Sequence, residues 1–365
     1  MNYWDYIKVE ELLSLQRGYK ERDEDVTNDE ALFITVHQIY ELWFKMMLRE
    51  LTSTRALFRK NPVPDQALAA ATRSLRRCVT IFDIATQHWR VVETLTTRDY
   101  LGFRDQLIGA SGFQSAQIRE VEILLGLDEA QRIACMGESS YKEMLQNPGG
   151  KTSPALERVE RRIAQGDSLK DAIDDWLART PIDGSSDPAH VERYLERFIA
   201  AHKKKAEETL EAARKTTTRQ KDLELLKARY DKEIAAAETF LRVKDLDDDL
   251  GDEERATRRH IRAALVFIES NRELPRLAWP REIIDTIVSL EQAMVIWRQR
   301  HARMVERMIG RRIGTGGSGG VDYLDRTALR YRVFADIWAV RTILLRRDLV
   351  PPLEHEEDYQ FRIQD

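Results

Sequence analysis

The residues best placed to do chemistry lie between Trp297 and Leu324, in the run WRQRHARMVERMIGRRIGTGGSGGVDYL. His301 shares a helical stripe with Met294, Trp297, Met304, Val305 and Met308. A lone histidine on such a stripe is most often a packed core residue. Three features favour a ligand. No cysteine or second histidine stands three or four residues away, so no zinc site is built locally. One imidazole among methionines and an indole suits a flat apolar cofactor such as haem, held through a single axial histidine. The glycine-rich loop that follows implies close backbone approach to another group. That loop, Gly314 to Gly320, formally contains G-x-G-x-x-G, but a helix and not a strand precedes it, so a dinucleotide site is rejected. A flexible linker is the plain alternative. If the loop packs, Thr315 and its amides can bind an ammonium or a carboxylate.

Other groups could complete a site. His37 lies four residues from Phe33, so the two rings project from one side of a helix. His37 can be a general base, a hydrogen-bond acceptor or a core histidine. Tyr100 and Arg104 are also four apart, and a guanidinium beside a phenol makes a carboxylate clamp. A surface arginine is an equal alternative. Asp245 to Gly251 looks briefly like a calcium loop, but its glycine is one place late and Ala256 stands where the bidentate glutamate belongs. It reads as a solvated acidic linker. Lys203 to Lys205 reads as an exposed helix face.

Helices must position these groups. Thr27 and Glu30 form a capping box that opens a helix to about Phe58, with Val36, Tyr40, Phe44, Met47 and Leu51 on its buried face. A second helix is expected from about Asp65 to Glu93, after Asn61-Pro-Val-Pro. Thr96-Thr97 caps a short helix bearing Tyr100 and Arg104. Residues 190–243 read as a charged, solvated helical hairpin broken near Lys215 to Thr218. Pro275 and Pro280 punctuate before the helix of His301, and a last helix is expected over Thr327 to Leu345. No alternating strand pattern is found. The expectation is an all-α chain: one domain over 1–365, with an N-terminal arm over 1–20 and a helical insertion over about 146–260.

The 365 residues are 42% apolar and 33% charged, with net charge −4 from 62 acidic and 58 basic side chains. That balance gives no electrostatic footprint for nucleic acid. Cys78 and Cys135, far apart, argue against a disulfide framework and fit a reducing cytoplasm. No window approaches the ~20 apolar residues of a membrane span, and the N-terminus lacks the features of a signal peptide.

Taken together, these pieces resemble the tryptophan 2,3-dioxygenase family nearly end to end. The resemblance rests on Tyr3-x-x-Tyr6, on Asp29-Glu-Ala-Leu-Phe33-Ile-Thr-Val-His37-Gln38-Ile-Tyr40-Glu41-Leu-Trp43-Phe-Lys45, on Asp99-Tyr100-x-x-Phe103-Arg104, on Ala110-Ser111-Gly-Phe113-Gln-Ser115-x-Gln117-x-Arg119, and on Trp297-Arg298 through Leu324. The resemblance implies a helical bundle around a haem b, active with ferrous iron, and opening of the indole ring of L-tryptophan by O₂ to N-formylkynurenine. It implies His301 as proximal haem ligand and His37 as the distal acceptor of the indole N–H. Phe33 becomes the wall against the indole, Arg104 the carboxylate partner with Tyr100 beside it, and Thr315 the contact to the substrate's ammonium and carboxylate. Trp89 and Ser111-Gly112 fall at the haem propionates. Tyr3, Tyr6 and Ile7 match an arm that closes a neighbouring subunit's pocket, which implies a homotetramer.

The sequence departs from the family's pattern at Asn28, Met46 and Ile118, none a residue with a direct chemical role. Two alternatives stand beside the dioxygenase. One is a relative that inserts a single oxygen and makes an oxindole; the other is a haem-binding sensor without turnover. Product mass separates the first. The amino-acid clamp argues against the second, because a sensor has no use for one.

Overall fold

The computed structural model describes residues 2–107, 115–133, 140–147, 152–217, 219–246, 250–312 and 320–361. Among them the architecture is helical, with an isolated β-bridge between Ile182 and Ser185. In chain order the helices are α1 (Tyr3–Tyr6), α2 (Val9–Leu13), α3 (Asn28–Phe58), α4 (Asp65–Val92), α5 (Thr97–Arg104), α6 (Ala116–Leu125), α7 (Tyr141–Met144), α8 (Pro154–Ala164), α9 (Leu169–Ala178), α10 (Pro188–Thr216), α11 (Gln220–Leu241), α12 (Asp252–Ser270), α13 (Ala278–Ile309), α14 (Val321–Arg330) and α15 (Ala335–Ala339).

The chain forms two compact units. The first comprises Met1–Thr54, Arg73–Leu169 and Ser289–Val333; the second comprises Arg55–Thr72, Lys170–Val288 and Phe334–Asp365. The first unit holds every predicted site residue that the structure describes. Its core follows from the expected apolar stripe of α3, where Tyr40, Phe44, Met47 and Leu51 are buried. They meet α4 through Tyr40, whose hydroxyl donates to the Ala85 carbonyl at 2.8 Å and whose ring lies 4.4 Å from that of Trp89. Thr27 Oγ1 accepts the Glu30 N–H, as the capping pattern requires. Thr96 and Asp99 make both halves of a capping box at the start of α5.

In the second unit, α10 and α11 pair as the expected hairpin. Lys203 reaches Glu238 and Lys205 reaches Glu233 across it.

Three local expectations change. Pro280 does not precede the helix of His301 but sits in its first turn, where a missing N–H costs nothing. The single last helix expected over Thr327 to Leu345 is two, α14 (Val321–Arg330) and α15 (Ala335–Ala339). Between them the Val333 N–H donates to the buried Glu291 carboxylate instead of to a helical carbonyl. Asp245 is not merely solvated. It grips the guanidinium of the buried Arg262 with both oxygens, at 2.5 and 2.9 Å, and so satisfies a charge that burial would otherwise penalise. Cys135 lies outside the described residues. Cys78 is buried and free, and burial pushes its thiol up to about 12, so it is unreactive.

Candidate active site

Elements α3, α4, α5, α6, α13 and α14 of the first unit surround one cavity of about 210 Å³. Phe33, His37, Tyr100 and His301 all line it. The sequence places these four on three helices; the fold brings them together.

The His301 ring lies against Trp89, with centroids 4.6 Å apart and planes at 13°; Trp297 lies 5.8 Å away at 21°. Met304, Val305 and Met308 continue the apolar wall. Burial pushes the imidazole down to about 3, and the neighbouring His37 and Arg298 press it the same way. The ring is therefore neutral, the form in which histidine binds a metal.

His37 is also held neutral, chiefly by burial, which outweighs the opposing pull of the Phe33 carbonyl and of Glu41. Its Nδ1 stands 2.7 Å from the Phe33 carbonyl. A carbonyl can only accept, so Nδ1 carries the proton and Nε2 is left with a lone pair. Nε2 is thus the nitrogen of His37 able to accept a hydrogen bond or a proton. Phe33 lies 4.0 Å from the His37 ring and 5.9 Å from that of Tyr100. Tyr100 and Arg104 do sit together. Burial pushes the Tyr100 phenol up, while the guanidinium of Arg104, hydrogen-bonded to it, pulls the other way.

The sign of these histidine shifts makes a pH prediction. A histidine whose folded-state value is depressed contributes stability fully above the unfolded value of 6.5, and loses it as pH falls toward the folded value. For His301 that window runs from 6.5 down to about 3. The cofactor-free protein should lose ~1 kcal/mol per pH unit through His301 alone once below the window's upper edge. Thermal melts of apoprotein between pH 7 and 5.5 check this; a flat melting temperature contradicts it.

Thr315, Ser111 and Gly112 lie outside the described residues. The flanks of the glycine loop are nevertheless fixed. Gly310 takes φ +60° and ends α13. Gly320, at φ +57°, would place a Cβ 3.0 Å from the Arg312 carbonyl oxygen, so only glycine fits there. Arg303 pairs with Asp325 and ties α13 to α14 across the loop. Gly320 itself lines the cavity.

Tyr3 and Tyr6 are 74% exposed and Ile7 is 41% exposed; none lines the cavity of its own chain. The arm is fixed where it joins α3. Gln38 donates to the Leu15 carbonyl at 2.8 Å and accepts from Gln16 at 2.7 Å.

A buried charge cluster in the cavity wall carried no role in the sequence reading. Glu122 on α6 pairs with Arg119 at 3.0 Å, Arg298 at 2.6 Å and Arg132 at 2.7 Å. Burial pushes the Glu122 carboxyl up, but the guanidiniums of Arg119, Arg298 and Arg132 overcome it and hold the group ionised. Arg298 also donates to the Thr327 carbonyl and lies 4.6 Å over the Tyr331 ring. A signal for this cluster was present. The α6 sequence AQIREVEILL is buried nearly all round, and charges on such a helix must be paired.

The model of the family described as tryptophan 2,3-dioxygenase matches residues 1–344. The chain belongs to this family. It is 62% identical over 365 residues to a tryptophan 2,3-dioxygenase of Sorangium cellulosum, covering all of this chain and 88% of the relative. It is 54% identical over 361 residues to tryptophan 2,3-dioxygenase 2 of Ralstonia nicotianae, covering 99% and 98%. A tryptophan 2,3-dioxygenase of Xenopus laevis is 34% identical over 355 residues, covering 96% and 84%.

Membership explains why two separated family motifs belong together. Gln117, from the Gln-x-Arg run, donates to both the carbonyl and the carboxylate of Glu41, from His-Gln-x-x-Glu, at 2.7 and 2.8 Å. These bonds lock α6 onto α3, so the wall bearing Glu122 is held against the wall bearing His37. Among the described residues no helix is long and apolar enough to cross a membrane.

Proposed function

We propose that this protein is a haem-dependent tryptophan 2,3-dioxygenase, which inserts both atoms of O₂ across the indole C2–C3 bond of L-tryptophan to give N-formylkynurenine. The observation that carries the reading is the pairing of two neutral imidazoles, His301 and His37, on one apolar cavity with an aromatic wall.

The residues present fit a haem. His301 offers a neutral nitrogen backed by Trp89 and Trp297. Trp89 Nε1 is buried without a partner among the described residues, a donor suited to a propionate. The guanidiniums of Arg119 and Arg298 line the same cavity and suit an anionic periphery. Bound haem supplies a ferrous iron at which O₂ is activated.

The chain's own part is orientation. His37 Nε2, the lone-pair nitrogen, accepts the indole N–H and sets the ring's height in the pocket. Indole N–H is a very weak acid, so this is positioning and not base catalysis. Phe33 bounds the ring from one side. Arg104, steadied by Tyr100, takes the substrate carboxylate, and Thr315 completes the grip on the amino-acid end. The methionine and indole wall keeps water out, which strengthens each of these contacts.

The exposed aromatic arm belongs to the same reading. Tyr3, Tyr6 and Ile7 close the pocket of a neighbouring copy, and the assembly is a homotetramer. The reading of the chain as one haem-dioxygenase domain is supported by a family match that runs over 1–344. A cytoplasmic location accords with the free, buried Cys78.

The test is the mass of the product formed from tryptophan and O₂ by the reduced holoprotein. Two added oxygens are expected. One added oxygen replaces the dioxygenase by an oxindole-forming enzyme, and tryptophan left unconsumed leaves only haem binding.

A further inference from the structure

The N-terminal arm presents an apolar surface that its own chain does not cover. Tyr3, Tyr6, Leu12, Leu13 and Leu15 are exposed, and neither α1 nor α2 holds a buried residue. Helices this short do not persist by themselves. The root of the arm is nevertheless clamped. The amide of Gln16 donates to the Leu12 carbonyl near the end of α2, at 3.0 Å, and to Gln38 Oε1 on α3, at 2.7 Å. Gln38 Nε2 returns a bond to the Leu15 carbonyl at 2.8 Å. One turn earlier on the same face of α3, Ile34 meets the root again: a Cβ added at Gly18 would lie 3.2 Å from Ile34 Cδ1. Ile34 and Gln38 each follow a residue that lines the cavity, Phe33 and His37. The root is therefore held beside the pocket wall.

We propose that Gln38 is a positioning residue: with Gln16 it pins the root of the arm to α3 and so aims the arm at the pocket of a neighbouring copy. The inference rests on the reading in which Tyr3, Tyr6 and Ile7 close that pocket. The clamp adds little to the fold of its own chain, because the helices it holds bury no residue there. Its effect is on docking. An arm loose at its root must be ordered each time it closes, whereas an arm fixed there has less freedom left to lose. Gln38 itself does not line the cavity. Its side chain leaves α3 about 100° from that of His37, so it acts through the arm.

The test is steady-state kinetics of the full-length holoprotein with tryptophan. Gln38→Leu removes donor and acceptor at similar size and keeps a good helix former in α3. Gln16→Leu breaks the same clamp from the side of the arm. Leu15 is exposed and Gln16 half-buried, so water pairs what either change leaves and the fold is spared. Each variant should raise the KM by about three- to tenfold and leave kcat within about twofold.

Mixed oligomers then decide where the effect lies. Gln38→Leu chains are co-expressed with an excess of His301→Ala chains, which are expected to turn over nothing but carry an intact arm root. The live sites are then closed by sound arms, and the wild-type KM should return. A KM that stays raised places the fault in the same chain, at His37, and overturns the proposal. So does a wild-type KM in both glutamine variants when the double variant Tyr3→Ala, Tyr6→Ala raises it. A KM that this double variant leaves unmoved sinks the reading of the arm itself, which is a different result.

Discussion

Replacing His301 with alanine should reduce tryptophan turnover to background while the helical fold survives. The ring is one wall of an aromatic stack, so its loss opens a small cavity against Trp89 and Trp297. That costs a few kcal/mol at most, a loss visible in a melt but compatible with folding. The chemical loss is larger. Among the described residues no group of three or more histidine, cysteine or carboxylate side chains could hold a metal in its place. The neighbours Trp297, Met304 and Val305 offer no imidazole. Haem would then sit without its axial nitrogen, with an altered spectrum. Adding free imidazole to a His301→Gly variant should restore part of the spectrum, because the cavity is shaped for that ring. Full turnover by His301→Ala would remove haem ligation at this position, and with it the proposed mechanism.

Arg104→Ala should raise the KM for tryptophan by one to two orders of magnitude. Losing a charge-assisted hydrogen bond to a carboxylate costs about 1.5–3 kcal/mol, and each 1.4 kcal/mol is tenfold in affinity. Tyr100 remains in the variant but brings no charge, so it recovers little. Tryptamine, which lacks the carboxylate, supplies the control. The wild-type protein should strongly prefer tryptophan over tryptamine, and Arg104→Ala should lose most of that preference. An unchanged KM, or an undiminished preference, would remove Arg104 from the clamp. A fall in kcat alone would mean that Arg104 acts on the reacting ring and not on the substrate's anchoring end.

Much of the scaffold could be read before any coordinates. The stripe Val36, Tyr40, Phe44, Met47, Leu51 has one face, and one face of a helix must be buried. Thr27 and Thr96 announce their helices because unpaired N–H groups at a helix start need an acceptor. His301, His37, Phe33 and Tyr100, each on a patterned helix, could be picked out in the sequence, and all four line one cavity. The break between α14 and α15 could not. It is marked by Glu291, 42 residues earlier, taking the Val333 N–H.

What the sequence determined by itself was local and periodic: an all-α chain, its main helices, and the family to which its motifs point. Only the tertiary structure decided which ring nitrogen of His37 is the acceptor, since that depends on a 2.7 Å approach to a carbonyl. It alone set the Trp89 ring against His301, 212 positions later in the chain. It alone showed that Arg298, which composition would leave at the surface, is buried on Glu122, 176 positions earlier. The physical reason is common to all three. Burial and charge pairing are properties of what surrounds a side chain, and neighbours distant in sequence are chosen by packing.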